Sequence, residues 1–201
     1  MYRLYRFTAA KGLPTQLLDY GSGNCLWTTA ASVVGFQVTA YEPNIKRIKN
    51  IANKNFTIVQ QLSELNGNRF DVINLEQVLE HTKDPYELLR GLIPYLKSRS
   101  LLRIAVPNIH HHVRNKDIWS MFPFDGAKMH IMSPYEHLHG FTNVSLQLLV
   151  KRAGFALDLS LATCRAYPLN TFRTIMGKLI PAISTTECLM RPNSDILGTR
   201  P

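Results

Sequence analysis

Residues Leu17-Leu18-Asp19-Tyr20-Gly21-Ser22-Gly23-Asn24-Cys25 set an apolar pair, an acid and two closely spaced glycines ahead of Leu26-Trp27-Thr28-Thr29-Ala30-Ala31. This is the order of a buried strand that ends in a tight glycine turn and runs directly into a helix. Glycine at such a turn lets backbone approach a ligand closely and adopts conformations that a Cβ penalises. A dinucleotide fingerprint needs a third glycine where Leu26 stands. The Asp19 carboxylate at the turn mouth would also repel a pyrophosphate on the helix N-terminus. It suits a cationic ligand carrying an α-ammonium group better.

The next strand, Phe36-Gln37-Val38-Thr39-Ala40-Tyr41, closes on Glu42-Pro43-Asn44. An acid at that tip, about 20 residues past the first turn, is placed to accept hydrogen bonds from a ribose diol. Alternatively, Glu42 is a charge favoured by the dipole of the helix that follows Asn44. Strands are expected at 16–20, 36–41, 56–60, 70–75, 100–106 and 155–162, and helices at 26–34, 44–53, 85–97 and 143–152. This alternation argues for an α/β fold with a mostly parallel sheet covered on both faces. Asp84-Pro85-Tyr86-Glu87 is a helix start, with Asp at the cap and Pro at the first helical position. Thr142 or Asn143 begins the later helix and Gly154 stops it. The 168–183 stretch is expected to be an amphipathic helix and 196–199 a short last strand.

With these elements in order, the chain resembles the class I S-adenosylmethionine-dependent methyltransferases. Leu18-Asp19-Tyr20-Gly21-Ser22-Gly23 is similar to the family's first motif, and Glu42 stands at its ribose-binding acid. Phe70-Asp71-Val72-Ile73-Asn74-Leu75, followed by Val78-Leu79-Glu80-His81-Thr82-Lys83-Asp84-Pro85, is similar to its fourth-strand signature. Glu136-His137-Leu138-His139-Gly140-Phe141-Thr142, with Ala153-Gly154-Phe155, resembles a later block of the branch that holds quinone-type and cell-surface-sugar methyltransferases. The resemblance implies a Rossmann-like sandwich with a seven-stranded sheet, in one domain spanning 1–201.

The implied cofactor is S-adenosylmethionine, with Asp19, Tyr20, Gly21 and Gly23 around its methionyl part. Glu42 and Pro43 are expected at the ribose, Gln61 and Leu62 near adenine, and Glu76 and Gln77 under the sulfonium. Three positions depart from the pattern. The family's third-strand acid, which meets the adenine amino group, is not evident in Ile58-Val59-Gln60-Gln61-Leu62, so the Gln61 amide oxygen or backbone is expected to do that work. Cys25 stands where a third glycine is common. Gln77 replaces a Glu that quinone O-methyltransferases use with the Glu-His pair for metal, so no metal is expected. Relatives also carry helices before the first strand; here a short extension, 1–15, precedes it. Any roof over the acceptor is therefore expected from the 107–141 insertion and the 164–194 segment; either the pocket is open or a partner subunit, in a homodimer for example, closes it.

The formal charge of +9 favours anionic partners. The basic residues are dispersed, however, without the aromatic-basic repeat of a single-strand groove, which argues against nucleic acid. No run of 18 apolar residues is present, so no membrane span is expected. Cys25, Cys164 and Cys188 are odd in number, lack metal spacing and read as reduced, cytoplasmic thiols. Acceptor activation calls for a base titrating near neutrality, and His81 follows the fourth strand at the sheet's ligand edge. His130, His137 and His139 are further candidates, with 137 and 139 read chiefly as a polar wall. His110-His111-His112 reads as an exposed loop, because adjacent residues rarely converge on one ion. These readings converge on methylation of a small molecule at oxygen. An inactive partner-binding module and an RNA methyltransferase are the rivals.

Overall fold

The computed structural model describes residues 15–48, 55–110, 117–120, 122–125, 128–133, 136–157 and 185–192. Its strands are β1 (Gln16–Tyr20), β2 (Gln37–Tyr41), β3 (Thr57–Val59), β4 (Phe70–Glu76), β5 (Leu96–Pro107), β6 (Phe124–Asp125), β7 (Lys128–Met129), β8 (Phe155–Leu157) and β9 (Thr185–Pro192). Its α-helices are α1 (Leu26–Val33), α2 (Ile45–Ile48), α3 (Pro85–Leu92) and α4 (Asn143–Arg152). Seven strands are hydrogen-bonded in the order β3-β2-β1-β4-β5-β9-β8, and β6 and β7 form a separate antiparallel ribbon. The chain divides into two compact units. Met1–Glu76, Gly91–Arg103 and Met190–Pro201 make the first; Gln77–Arg90 and Ile104–Leu189 make the second.

In the first unit β1 pairs in parallel with both β2 and β4, and β2 with β3. Strands covered on both faces read as continuous apolar runs rather than alternating ones. Leu17 and Leu18 in β1 are fully buried, as are Val72, Ile73 and Leu75 in β4. Burial of each such side chain contributes roughly 1.5–3 kcal/mol relative to exposure. The register sets Tyr20 beside Tyr41, so the ends of β1 and β2 lie level. Glycine-loop and acid therefore emerge at the same sheet edge.

The expected helix at 85–97 is shorter than the sequence indicates. Its start is as read: Glu87 N–H donates to Asp84 Oδ1 over 3.0 Å. Its end comes at Leu92, followed by a 3-10 turn over Ile93–Tyr95, and β5 begins at Leu96 rather than at 100. Pro94 has no N–H to continue the helical ladder and disfavours helical backbone in the residue before it, which apolar periodicity alone does not register. The strand β9 was not anticipated. The expectations for 168–183 and 196–199 lie outside the described residues.

In the second unit, Thr142 caps α4 reciprocally with Ser145: Ser145 N–H donates to Thr142 Oγ1 at 3.1 Å, and Thr142 N–H to Ser145 Oγ at 2.9 Å. Gly154 follows the helix at φ +96°, the left-handed geometry of a glycine stop. The two ends of the 107–141 insertion meet. Asn108 bridges to Phe141, and Ile109 N–H donates to the Phe141 carbonyl at 2.9 Å. Gly140 sits in that closure, where a Cβ would lie 2.7 Å from Ile109 Cδ1 and 2.9 Å from Met132 Sδ. Gly140→Ala should therefore lower stability by about 1–3 kcal/mol through overpacking, read as a lower urea midpoint with an unchanged m-value. An unchanged midpoint would show that Ile109 and Met132 move aside freely.

Candidate cofactor site and histidine cluster

The glycine loop of the first unit is held from two sides. Gly21 and Ser22 donate their N–H groups to the Tyr41 carbonyl at 2.8 and 3.1 Å. Gly23 N–H donates to Glu42 Oε2 at 2.7 Å, and Asn44 N–H to Glu42 Oε1 at 2.9 Å. Glu42 is 4% exposed, so these charge-assisted bonds fix its rotamer. A carboxylate offers about four lone-pair sites and retains acceptor capacity after two bonds. Glu42 thus holds both the glycine loop and the residue opening the next turn.

Asp19 is almost wholly buried. Its carboxylate accepts from the Thr28 hydroxyl and, at 2.7 Å, from Asn74 Nδ2. Burial pushes the Asp19 carboxyl above its usual range, against the opposing pull of those two donors. Asn74 in turn accepts from Arg103 Nη1 at 2.6 Å, and Arg103 also pairs with Glu76. The Arg103 guanidinium lies 5.3 Å from the centroid of the Trp27 ring. A polar chain, Thr28–Asp19–Asn74–Arg103–Glu76, therefore ties α1, β1, β4 and β5 together beneath the loop. Sequence reading missed Asn74 and Arg103. The available signal was an amide inside the apolar run Val72-Ile73-Asn74-Leu75, where a polar group needs partners.

The remaining expected cofactor residues stand as follows. The Tyr20 ring lies against Tyr41, tilted by 45° with ring centroids 4.6 Å apart. Burial, then the neighbouring Tyr41, raises its hydroxyl to about 12, so it stays neutral. Pro43 and Gln61 are exposed and Leu62 is half-buried at the start of a 3-10 turn, where Glu64 Oε1 accepts from Gln61 N–H at 2.7 Å. Gln77 belongs to the second unit; it adopts φ +56° and donates its N–H to the Ala105 carbonyl at 2.8 Å.

Cys25 opens α1 in left-handed geometry, φ +57° and ψ +24°, with its thiol buried. A Cβ there is penalised by roughly 1–2 kcal/mol, while burying a small thiol gains a comparable amount. Cys25→Gly should therefore fold with stability within about 1 kcal/mol of wild type. A variant that folds but loses the cofactor, measured by calorimetry, would mean that the loop is built around the thiol.

The second unit gathers a different group. Glu80, His81 and His137 each offer one ligand atom, all within 4.8 Å of one another. Glu80 is buried and the His81 side chain is 43% exposed, its Nε2 4.0 Å from Glu80 Oε1. His81 Nδ1 bonds to the Glu136 carbonyl, and His137 Nδ1 to the Ile131 carbonyl at 2.5 Å. A carbonyl can only accept, so in both rings Nδ1 carries a proton, and the neutral form of each ring keeps its lone pair on Nε2. Leu138 and His139 N–H groups donate to the Glu80 carbonyl at 2.7 and 3.1 Å, clamping the two segments backbone to backbone. His137 was read as a polar wall, and its partnership with His81 was not legible. His130 is buried and accepts from Met132 N–H at 3.1 Å through Nδ1. His139 lies beside Phe141, with ring centroids 6.2 Å apart. His110 is exposed, as expected, and His111 and His112 lie outside the described residues. A donor set of one carboxylate and two imidazoles fits a divalent ion despite Gln77.

This sheet order, with a glycine loop after β1 and an acid at the tip of β2, is that of an α/β fold built to hold a nucleoside cofactor. The methyltransferase domain family matches residues 3–160, and the chain belongs to that family. It is 34% identical over 103 residues to a ubiquinone biosynthesis O-methyltransferase of Caulobacter vibrioides, covering 46% of this chain and 40% of that protein. A Caulobacter sp. protein of the same description is 34% identical over 104 residues, covering 46% of this chain and 41% of its own length. The matched stretch thus spans less than half of these curated relatives. Among solved structures, an S-adenosylmethionine-dependent methyltransferase from Mesorhizobium loti superposes with a TM-score of 0.62 at 14% identity, over 89% of this chain and 91% of that one. A 1,6-didemethyltoxoflavin-N1-methyltransferase from Burkholderia thailandensis, solved with S-adenosylhomocysteine, gives 0.58 at 19% identity, over 94% and 73%. The fold is that of the S-adenosylmethionine-dependent methyltransferases. Among the described residues no helix is long and apolar enough to cross a membrane.

Proposed function

We propose that this domain transfers the methyl group of S-adenosylmethionine to a hydroxyl oxygen of a small molecule. The observation that carries the reading is the bond from Gly23 N–H to the buried Glu42 carboxylate, which joins glycine loop and acid into one cradle. In this reading Glu42, beside Pro43, accepts the ribose hydroxyls, Gln61 and Leu62 border adenine, and Glu76 lies under the sulfonium. Tyr20, Gly21 and Gly23 line the methionyl end. Asp19 shapes that end from within, through Thr28 and Asn74.

The sulfonium is a good leaving group, so alignment of the acceptor oxygen behind the methyl supplies much of the rate. What remains is the hydroxyl proton, which we assign to the His81 cluster, whose lone pairs sit on Nε2. The oxygen acceptor is supported by the likeness to ubiquinone biosynthesis O-methyltransferases. A labelled-methyl screen tests the reading, with phenolic and other hydroxylated metabolites in one pool and RNA in another. Label in the small-molecule pool, in an alkali-stable ether, is the expected result. Label confined to RNA, or cofactor binding without transfer to any pool, would replace the reading with one of its rivals.

A further inference from the structure

We infer that Glu80, His81 and His137 form a binding site for a divalent ion of zinc type. The donor set comes from two segments of the second unit: Glu80 and His81 from the turn after β4, and His137 from the insertion. Three features make it a ligand set rather than a polar surface. The donor atoms lie within 4.8 Å of one another, within reach of a single ion. Both imidazoles are locked by backbone carbonyls in the tautomer that leaves Nε2 to ligate, the arrangement in which an outer hydrogen bond orients a metal-binding histidine. The carboxylate comes from a buried glutamate, and its own carbonyl is pinned by the backbone of Leu138 and His139.

Gln77 removes a carboxylate that the family resemblance would place here, and His137 supplies a nitrogen instead. Two imidazoles and one carboxylate suit zinc and its neighbours, whereas magnesium asks for oxygen donors. With three protein ligands the ion would keep an open position, as catalytic rather than structural zinc does. Such an ion, when bound, supplies Lewis acidity that lowers the pKa of a coordinated hydroxyl. With its Nε2 on the ion, His81 would act as a ligand and not as a base, and the ion would take over the acidification of the acceptor hydroxyl that the cluster is assigned above. That role rests on the function proposed above; the binding site itself does not.

The test uses the full chain, stripped with chelator and dialysed, with neither cofactor nor acceptor present. Titration with Co2+ alone should saturate at one equivalent with visible ligand-field absorption, be displaced by Zn2+, and be unaffected by millimolar Mg2+. His137→Ala and Glu80→Gln should each weaken binding by well over tenfold, more than loss of an outer hydrogen bond costs. His139→Ala should leave it unchanged. No saturable Co2+ binding by the intact wild type would overturn the inference whatever the variants do. Binding unaffected by His137→Ala would overturn it too, by tracing the ion to other histidines. A protein that binds Co2+ as expected but methylates nothing would retain the site and sink the function.

Discussion

His81→Gln should cut turnover by about 10²–10⁴-fold while the affinity for S-adenosylmethionine stays within about twofold of wild type, because a group that handles a proton in the transition state contributes on that scale. Glutamine keeps the side chain polar and of similar length but offers no imidazole nitrogen. The His81 ring is partly exposed and its Nδ1 meets a backbone carbonyl, so the substitution costs the fold one hydrogen bond, roughly 0.5–1.5 kcal/mol. Turnover and stability should therefore separate cleanly. Kinetics on the acceptor found in the screen, set beside calorimetry with the cofactor, read the two quantities independently. Full turnover in His81→Gln would move the proton-handling role elsewhere. Parallel loss of turnover, cofactor binding and melting temperature would mark His81 as a loop anchor.

Glu42→Ala should weaken the cofactor by about ten- to a hundredfold. Hydrogen bonds to a charged group contribute roughly 1.5–3 kcal/mol. The structure adds a second cost, since Glu42 also accepts from Gly23 and Asn44 N–H groups. Truncation leaves the Gly23 N–H at the centre of the glycine loop without its acceptor. Glu42→Gln is the sharper companion, because its amide keeps one acceptor oxygen and turns an NH2 group toward a donor. It should recover less than half of the lost binding energy. Affinities measured by calorimetry, with circular dichroism to confirm the fold, decide it. Unchanged affinity in both variants would leave Glu42 a purely structural acid.

The first half of the fold was legible because parallel strands buried on both faces write themselves as unbroken apolar runs. Leu17-Leu18 and Val72-Ile73 are such runs, and each is closed by turn chemistry. The caps at Asp84 and Thr142 were equally readable, since a short polar side chain before a helix has one dominant use. Pro94 marked the end of α3, but only backbone chemistry, not periodicity, carries that signal. The strand β9 (Thr-Thr-Glu-Cys-Leu-Met-Arg-Pro) shows neither alternation nor a sustained apolar run, so nothing local distinguishes it. Of the site, the loop and Glu42 could be read because their spacing is covalent. Arg103 on β5 reaching Asn74 and Glu76 on β4, and His137 reaching His81, are pairings made by tertiary folding. No pattern within either segment encodes them.

The polar chain beneath the loop explains why an acid as buried as Asp19 is tolerated. Its carboxylate has two donors, and Asn74 cannot turn its amide because Arg103 holds the oxygen side. The arrangement fixes the floor of the cradle before any ligand arrives, which spares binding an ordering cost. It also makes the cradle sensitive to residues that touch no ligand.

The most direct measurement is calorimetric titration of the wild-type chain and of Glu42→Ala with S-adenosylmethionine under identical conditions. One saturable site in the wild type, weakened about ten- to a hundredfold in the variant with the fold intact, is the predicted result. No binding by the folded wild-type chain, or equal binding by both proteins, would contradict the assignment of the Gly23–Glu42 cradle as the cofactor site.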